Sequence, residues 1–265
     1  SADDQGSLIT ADTLAAVSVD GKPPQSASPS DTEPSRIGFD TEEDDGRVPP
    51  AALLERYEDL RLIGQGGMGR VFRGRDPRLG RSVAIKLLRS GHPEATKRFL
   101  QEARAQARVQ HENVCRVYDV GEADGEPYIA MEFIDGQELD SARGAMSLEQ
   151  KVKVIREVAA ALHEAHRLGL IHRDIKPGNI IVATTRDGAL KPYVVDFGLA
   201  RDLALEGQLE NQGAIDGTPA YMSPEQALGT PLDRRSDVYA LGSTLFDLIA
   251  GRTPFVGVSV PDLLS

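Results

Sequence analysis

The sequence predicts an α+β fold in which a small strand-rich part precedes a larger, mainly helical one. Two observations predict it. From Tyr57 onward, short β-like runs (DLRLIG, GRVFRG, SVAIKLL, RVYDVG, PYIAMEFI) alternate with the turn signals GQGG, DPRLG and EADGE. After Ser147 the period changes: SLEQKVKVIREVAAALHEAHRLG has a serine N-cap, a sustained 3.6-residue repeat of apolar positions and a closing glycine. A single helix, PEATKRFLQEARAQARV, is expected among the strands, since it has proline in its first turn and no internal glycine.

Residues 1–50 stand apart. They carry eleven Asp and Glu against three Lys and Arg, are rich in Ser and Pro, and show no sustained period. This composition predicts a disordered acidic tail. Its stretch SASPSDTEPS is a candidate phospho-acceptor, and the plainer alternative is a solvated linker. In the whole chain of 265 residues, 40% hydrophobic content is enough to bury a core. The net charge of −11 argues against binding nucleic acid or an anionic membrane, which needs clustered Lys and Arg. No apolar run approaches the roughly 18 residues of a membrane span. The start, SADDQGSLIT, is acidic where a signal peptide needs basic residues, and it opens on Ser, so the chain is expected to be processed or a fragment. The lone cysteine, Cys115, cannot form an internal disulfide; within NVCRVYDV it is expected as a small buried strand residue rather than a reactive thiol.

Four short motifs carry chemistry. GQGGMGRV (64–71) brings Gly64, Gly66 and Gly69 to a turn followed by another strand-like run, VFRG, and not by the helix a dinucleotide fold wants. That favours a glycine-rich hairpin whose backbone N–H groups can approach phosphate oxygens. VAIK (83–86) sets Lys86 among apolar neighbours, where a desolvated ammonium needs a carboxylate. Glu102 is the expected partner, because Phe99, Glu102, Gln106 and Val109 share one helix face. HRDIKPGN (172–179) gathers Asp174, Lys176 and Asn179: a base, a cation and a neutral oxygen ligand, a set suited to deprotonating an alcohol beside a polyanion. VVDFGLAR (194–201) places Asp196 at the end of a β-branched run, where with Asn179 it can offer oxygen ligands to Mg²⁺.

With these motifs in this order, residues 57–265 resemble the eukaryotic-type protein kinases, and within them the bacterial Hanks-type serine/threonine branch. A fifth family motif, APE, is present as SPE in GTPAYMSPEQ (217–226). The resemblance implies a bilobal fold, with an N-lobe over about 57–134 and a C-lobe from about 135 that is truncated at 265. It implies transfer of the γ-phosphate of ATP, with Mg²⁺ or Mn²⁺, to Ser or Thr hydroxyls of protein substrates in signalling. Asp174 would then take the hydroxyl proton, Lys176 would neutralise the moving charge, Lys86 held by Glu102 would grip the α- and β-phosphates, and Asn179 and Asp196 would hold metal. The family's base pocket maps onto Ile63, Val71, Ala84 and Ile181, with Met131 as gatekeeper. The backbones of Glu132 and Ile134 would meet adenine, and Glu138 the ribose. Thr218 would bond Asp174 and Lys176, and Asp237 would hold the catalytic loop from beneath; the plain alternative for Thr218 is a turn residue, and for Ser236 or Asp237 a helix cap. The resemblance also implies cytoplasmic catalysis without membrane contact by this segment, and possible pairing of two copies through the N-lobe; a membrane anchor often follows in relatives.

Three departures stand out. Residues 199–217 contain no Ser, Thr or Tyr, so Arg173 is expected to meet Asp202, Glu206, Glu210 or Asp216 permanently instead of a phosphorylated loop residue. The chain stops at PDLLS, so Glu225 lacks the family's arginine and the helix from Val238 to Ile249 is expected to lack part of its cover. Gln106 stands where many relatives have an aliphatic residue. Two other functions fit part of the pattern: a pseudokinase scaffold, which would bind Mg–ATP without transfer, and a small-molecule phosphotransferase, against which GTPAYMSPE speaks.

Overall fold

The computed structural model describes residues 48–66, 69–88, 93–197 and 219–255. Nearly all of the acidic segment, and the loop carrying Thr218, lie outside these residues. A short helix α1 (Ala51–Leu54) leads into β1 (Glu58–Gly66), β2 (Gly69–Asp76) and β3 (Arg81–Leu88). Helix α2 (Pro93–Gln106), β4 (Val117–Ala123) and β5 (Glu126–Glu132) follow. These strands form one antiparallel five-stranded sheet of order β1-β2-β3-β5-β4.

Period-two alternation decides what each face of β3 does. Val83, Ile85 and Leu87 point into a core with Phe72, Tyr128 and Ala130, closed by Leu53 of α1 and by Tyr57. Ala84 and Lys86 point the other way. On that side Phe99 and Ala103 of α2 pack with Ile129, Met131 and Cys115. Gly69 has φ +144°, and a Cβ there would fall 1.9 Å from the Leu87 carbonyl oxygen, so only glycine lets β2 lie this close to β3.

The second part begins with β6 (Gln137–Glu138) and the one-turn helix α3 (Leu139–Ala142). Helix α4 (Leu148–Arg167) starts with the expected Ser147 cap, which forms a full capping box with Gln150. Strands β7 (Ile180–Thr184) and β8 (Leu190–Val194) pair antiparallel, with β6 on the outer edge of β7. A one-turn helix α5 (Pro224–Ala227) and the long α6 (Arg234–Ala250) complete the described chain. Val154, Val158 and Leu162 of α4 build the core with Ile175, Val194, Ala240 and Leu248.

One expectation needs correction here, and one alternative falls. Cys115 is buried but lies ahead of β4, not in a strand; its N–H donates to the Val194 carbonyl, joining the two parts of the fold. Helix α6 is capped by Asp233, whose carboxylate accepts from Arg235 N–H, so neither Ser236 nor Asp237 is the cap. The uncovered stripe on α6 is present: Val238, Phe246 and Ile249 are exposed, as is Phe255 beyond it.

Candidate active site

The β7–β8 hairpin gathers the site. Ile180 is opposite Val194, which sets Asn179, one residue before, beside the stretch that reaches Asp196 two residues after; Val195 N–H donates to the Asn179 carbonyl at 3.1 Å. Asn179 Nδ2 donates both to the Asp174 carbonyl (2.7 Å) and to Asp174 Oδ2 (2.8 Å). The amide protons are thereby taken up, and Oδ1 is the Asn179 atom left for a cation. Lys176 Nζ is 3.3 Å from Asp174 Oδ2.

Across the cleft, Lys86 of β3 is almost fully buried and its Nζ lies 2.9 Å from Asp196 Oδ2. This corrects the expected pairing. Glu102 does sit on the inward face of α2 with Phe99 and Gln106, but it accepts from Arg173 Nη1 at 3.3 Å, while Asp196 is the carboxylate at Lys86. The physical reason is reach: a helix face sets the side a glutamate looks toward, and two cations, Arg173 and Lys86, lie on that side. Gln106 is buried, with Nε2 donating to the Cys115 carbonyl at 3.2 Å. Its Oε1 finds no partner among the described residues.

Two residues of the site hold left-handed backbone that L side chains rarely adopt, Arg173 (φ 67°) and Asp196 (φ 56°). Arg173 is held by Asp237, which lies within the first turns of α6. Asp237 Oδ1 accepts from Arg173 N–H (2.8 Å), and Oδ2 accepts from His172 N–H (2.8 Å) and His166 Nε2 (2.6 Å). Burial opposes ionisation of Asp237, but the His166 bond and the two backbone donors outweigh it and hold the carboxyl below the usual carboxylate range. Burial keeps His172 neutral by lowering its pKa, and its bonds agree: Nε2 donates to the Val195 carbonyl while Nδ1 accepts from Asp174 N–H. Its ring also packs on Phe197, with centroids 4.6 Å apart.

A cleft between the two parts is lined by Ile63, Gly64, Val71, Ala84, Lys86, Met131, Glu132, Ile134, Glu138, Ile181 and Asp196, residues that the resemblance assigns to the nucleotide site. Gly66 and Gly69 flank the hairpin tip, Glu102 meets Arg173, and Asp174, Lys176 and Asn179 stand on the segment between α4 and β7. Cys115, Phe133, Gly136, Gly178 and Val195 also line it and were not anticipated. Gly136 had a local signal, the turn-forming DGQ: a Cβ there would meet the Val182 carbonyl oxygen at 2.6 Å. Burial and the Glu132 carboxylate raise the Cys115 thiol well above its ordinary pKa, so it is inert at neutral pH. Glu225 accepts from Ser236 Oγ at 2.5 Å, and that bond, more than any other influence, lowers its pKa. Among the described residues no cluster of three or more His, Cys, Asp or Glu could hold a metal, and no helix is long and apolar enough to cross a membrane.

A family profile described as "Protein kinase domain" matches residues 57–262. Among curated proteins, the serine/threonine-protein kinase PknB of Mycobacterium tuberculosis is 42% identical over 221 residues, covering 79% of this chain and 35% of that one. The kinase pkn3 of Myxococcus xanthus is 41% identical over 226 residues, covering 82% of this chain and 41% of that one. The chain thus spans about a third of the length of the curated relatives it matches. Among solved structures, the kinase domain of PknI from Mycobacterium tuberculosis superposes with a TM-score of 0.63 at 28% identity, over 80% of this chain and 79% of that one.

Proposed function

The chain belongs to the protein kinase family, and from that membership we propose an ATP-dependent serine/threonine kinase that moves the γ-phosphate of ATP to hydroxyls of protein substrates in signalling. The observation that carries the reading is the 2.9 Å contact between Lys86 and Asp196. It joins a strand of the five-stranded sheet to the loop after β8, so that the phosphate-binding cation and the metal-binding carboxylate face one cleft. Asp174 accepts the proton of the acceptor hydroxyl, and Lys176 beside it balances the charge on the transferred group. Asn179, through Oδ1, and Asp196 are the donors for a divalent ion; two hard oxygens from the protein suit Mg²⁺, with Mn²⁺ also accommodated. A bound ion would supply positive charge at the phosphate oxygens.

Lys86 grips the α- and β-phosphates, under the backbone of Gly64, Gly66 and Gly69. Ile63, Val71, Ala84 and Ile181 sandwich the base. The Glu132 carbonyl and Ile134 N–H meet its edge, and Glu138 meets the ribose. Among the described residues the Ile134 N–H has no acceptor, which leaves it available. Glu102 is the alternative partner that holds Lys86 when Asp196 engages metal. Thr218, outside the described residues, seats the acceptor segment against Asp174. Pairing of two copies through the N-lobe is also proposed, at the surface hollow lined by Arg56, Asp119 and exposed Leu79; loss of a sedimenting dimer on Leu79→Glu would support it, and a monomeric wild type would contradict it.

The test of the main proposal is incubation of the full protein with γ-labelled ATP, Mg²⁺ and a basic protein acceptor. Label is expected on serine and threonine, and chelation of the divalent ion should abolish it. Tight Mg–ATP binding with no transfer to any acceptor would favour a scaffold instead.

A further inference from the structure

We propose that Gln226 is a positioning residue for the catalytic loop, tying the acceptor-side segment to the peptide group that precedes Asp174; this rests on the kinase reading above. The peptide group joining Arg173 to Asp174 sets the direction in which the Asp174 carboxylate leaves the backbone. It is held at both ends. Its N–H donates to His172 Nδ1 at 3.3 Å, and its carbonyl accepts from Gln226 Nε2 at 2.7 Å. Gln226 lies 53 residues away along the chain, on α5 immediately after the SPE motif.

The Gln226 amide is itself locked in orientation. Its Oε1 accepts from Ser223 N–H (3.1 Å) and from Ser223 Oγ (3.2 Å), while Ser223 Oγ accepts from Gln226 N–H (3.4 Å). With the oxygen turned to Ser223, the nitrogen must face Arg173, the only flip that satisfies both contacts. Ser223 is fully buried, so the arrangement is not a surface accident. Arg173 needs such support because its backbone is left-handed at φ 67°, with Asp237 restraining its N–H and Gln226 its carbonyl. An isolated helix of four residues has no need of a side chain that reaches another loop. The capping bond accounts for Oε1 alone, and the Nε2 bond remains to be explained by what it holds.

Gln226→Glu separates these two roles. A glutamate at this position keeps the capping box but turns a carboxylate oxygen toward the Arg173 carbonyl, losing the donor. The expected result is a fall in kcat of about 10- to 100-fold, as small misplacements of catalytic groups produce, with KM for ATP within about twofold and a melting temperature close to wild type. Gln226→Met, nearly isosteric and without charge, should lower kcat in the same direction and carries the test if the glutamate variant fails to fold. Wild-type kcat in either folded variant would overturn the proposal, as would kcat and KM for ATP deteriorating together with stability. Wild type and Asp174→Asn are assayed alongside: no transfer by wild type sinks the kinase reading itself, whereas normal transfer by the Gln226 variants sinks this inference alone.

Discussion

Asp174→Asn is expected to lower kcat by about 10²- to 10⁴-fold while Mg–ATP affinity stays within about threefold of wild type. The substitution preserves shape and local bonding. Asn179 Nδ2 now donates to Asp174 Oδ2 and to the backbone carbonyl beside it, and an amide oxygen can accept the first of these as well as a carboxylate does. The loop, still anchored through Asp237 and Gln226, has no reason to move. What is lost is the capacity to take a proton from the acceptor hydroxyl, an event of the transition state and not of nucleotide binding, so the loss falls on kcat. Steady-state kinetics and calorimetric nucleotide titration check it. A kcat within threefold of wild type would remove Asp174 from the chemistry.

Asp237→Ala should destabilise the protein by about 3–5 kcal/mol, the cost of breaking a buried, multiply bonded charge. The carboxylate is 1% exposed and accepts from His166, His172 N–H and Arg173 N–H. Truncation leaves those donors buried and unbonded, at about 1–3 kcal/mol for each orphaned group. Against a total stability of about 5–15 kcal/mol such a loss shows plainly in urea denaturation. The same carboxylate shapes the acid limb of stability. Its folded pKa is depressed, so its contribution is complete above the ordinary carboxylate range and is lost as pH falls through the folded value. His172 acts at higher pH: burial lowers its folded pKa, the unfolded chain takes up the proton first, and stability declines as pH drops below about 6.5. Two successive losses are therefore expected in wild type, and the lower one should be smaller in Asp237→Ala, where Glu225 and the other depressed carboxylates still contribute.

The parts of the site that were legible in the sequence are those set by local spacing. Asp174, Lys176 and Asn179 lie within six residues, and the β-branched run before Asp196 marked its strand; the pairing of that strand with β7, which brings Asp196 beside them, had no such signal. Lys86 was legible because a lysine in an apolar strand must face something charged. Its partner was not. The helical period put Glu102 on the correct face of α2, but the choice between Arg173 and Lys86 depends on how α2 lies against β4 and β5, which no periodicity encodes. The start of α6 was ambiguous for a different reason: Asp233, Ser236 and Asp237 all have capping side chains within one turn, and only the fold assigns the cap to Asp233 while Asp237 serves the catalytic loop. Gln226 escaped notice because its signature is a capping box, and its second bond crosses to a segment far away in sequence.

For the proposed transfer, Lys86, Asp196, Asn179 and Asp174 must meet around one bound triphosphate. A crystal structure with a non-hydrolysable ATP analogue and Mn²⁺ tests this most directly. The predicted result is an ion coordinated by Asp196 and Asn179, with the terminal phosphate on the Asp174 side of the cleft and Lys86 on the inner phosphates. A nucleotide bound elsewhere, or a metal that touches neither Asp196 nor Asn179, would contradict it.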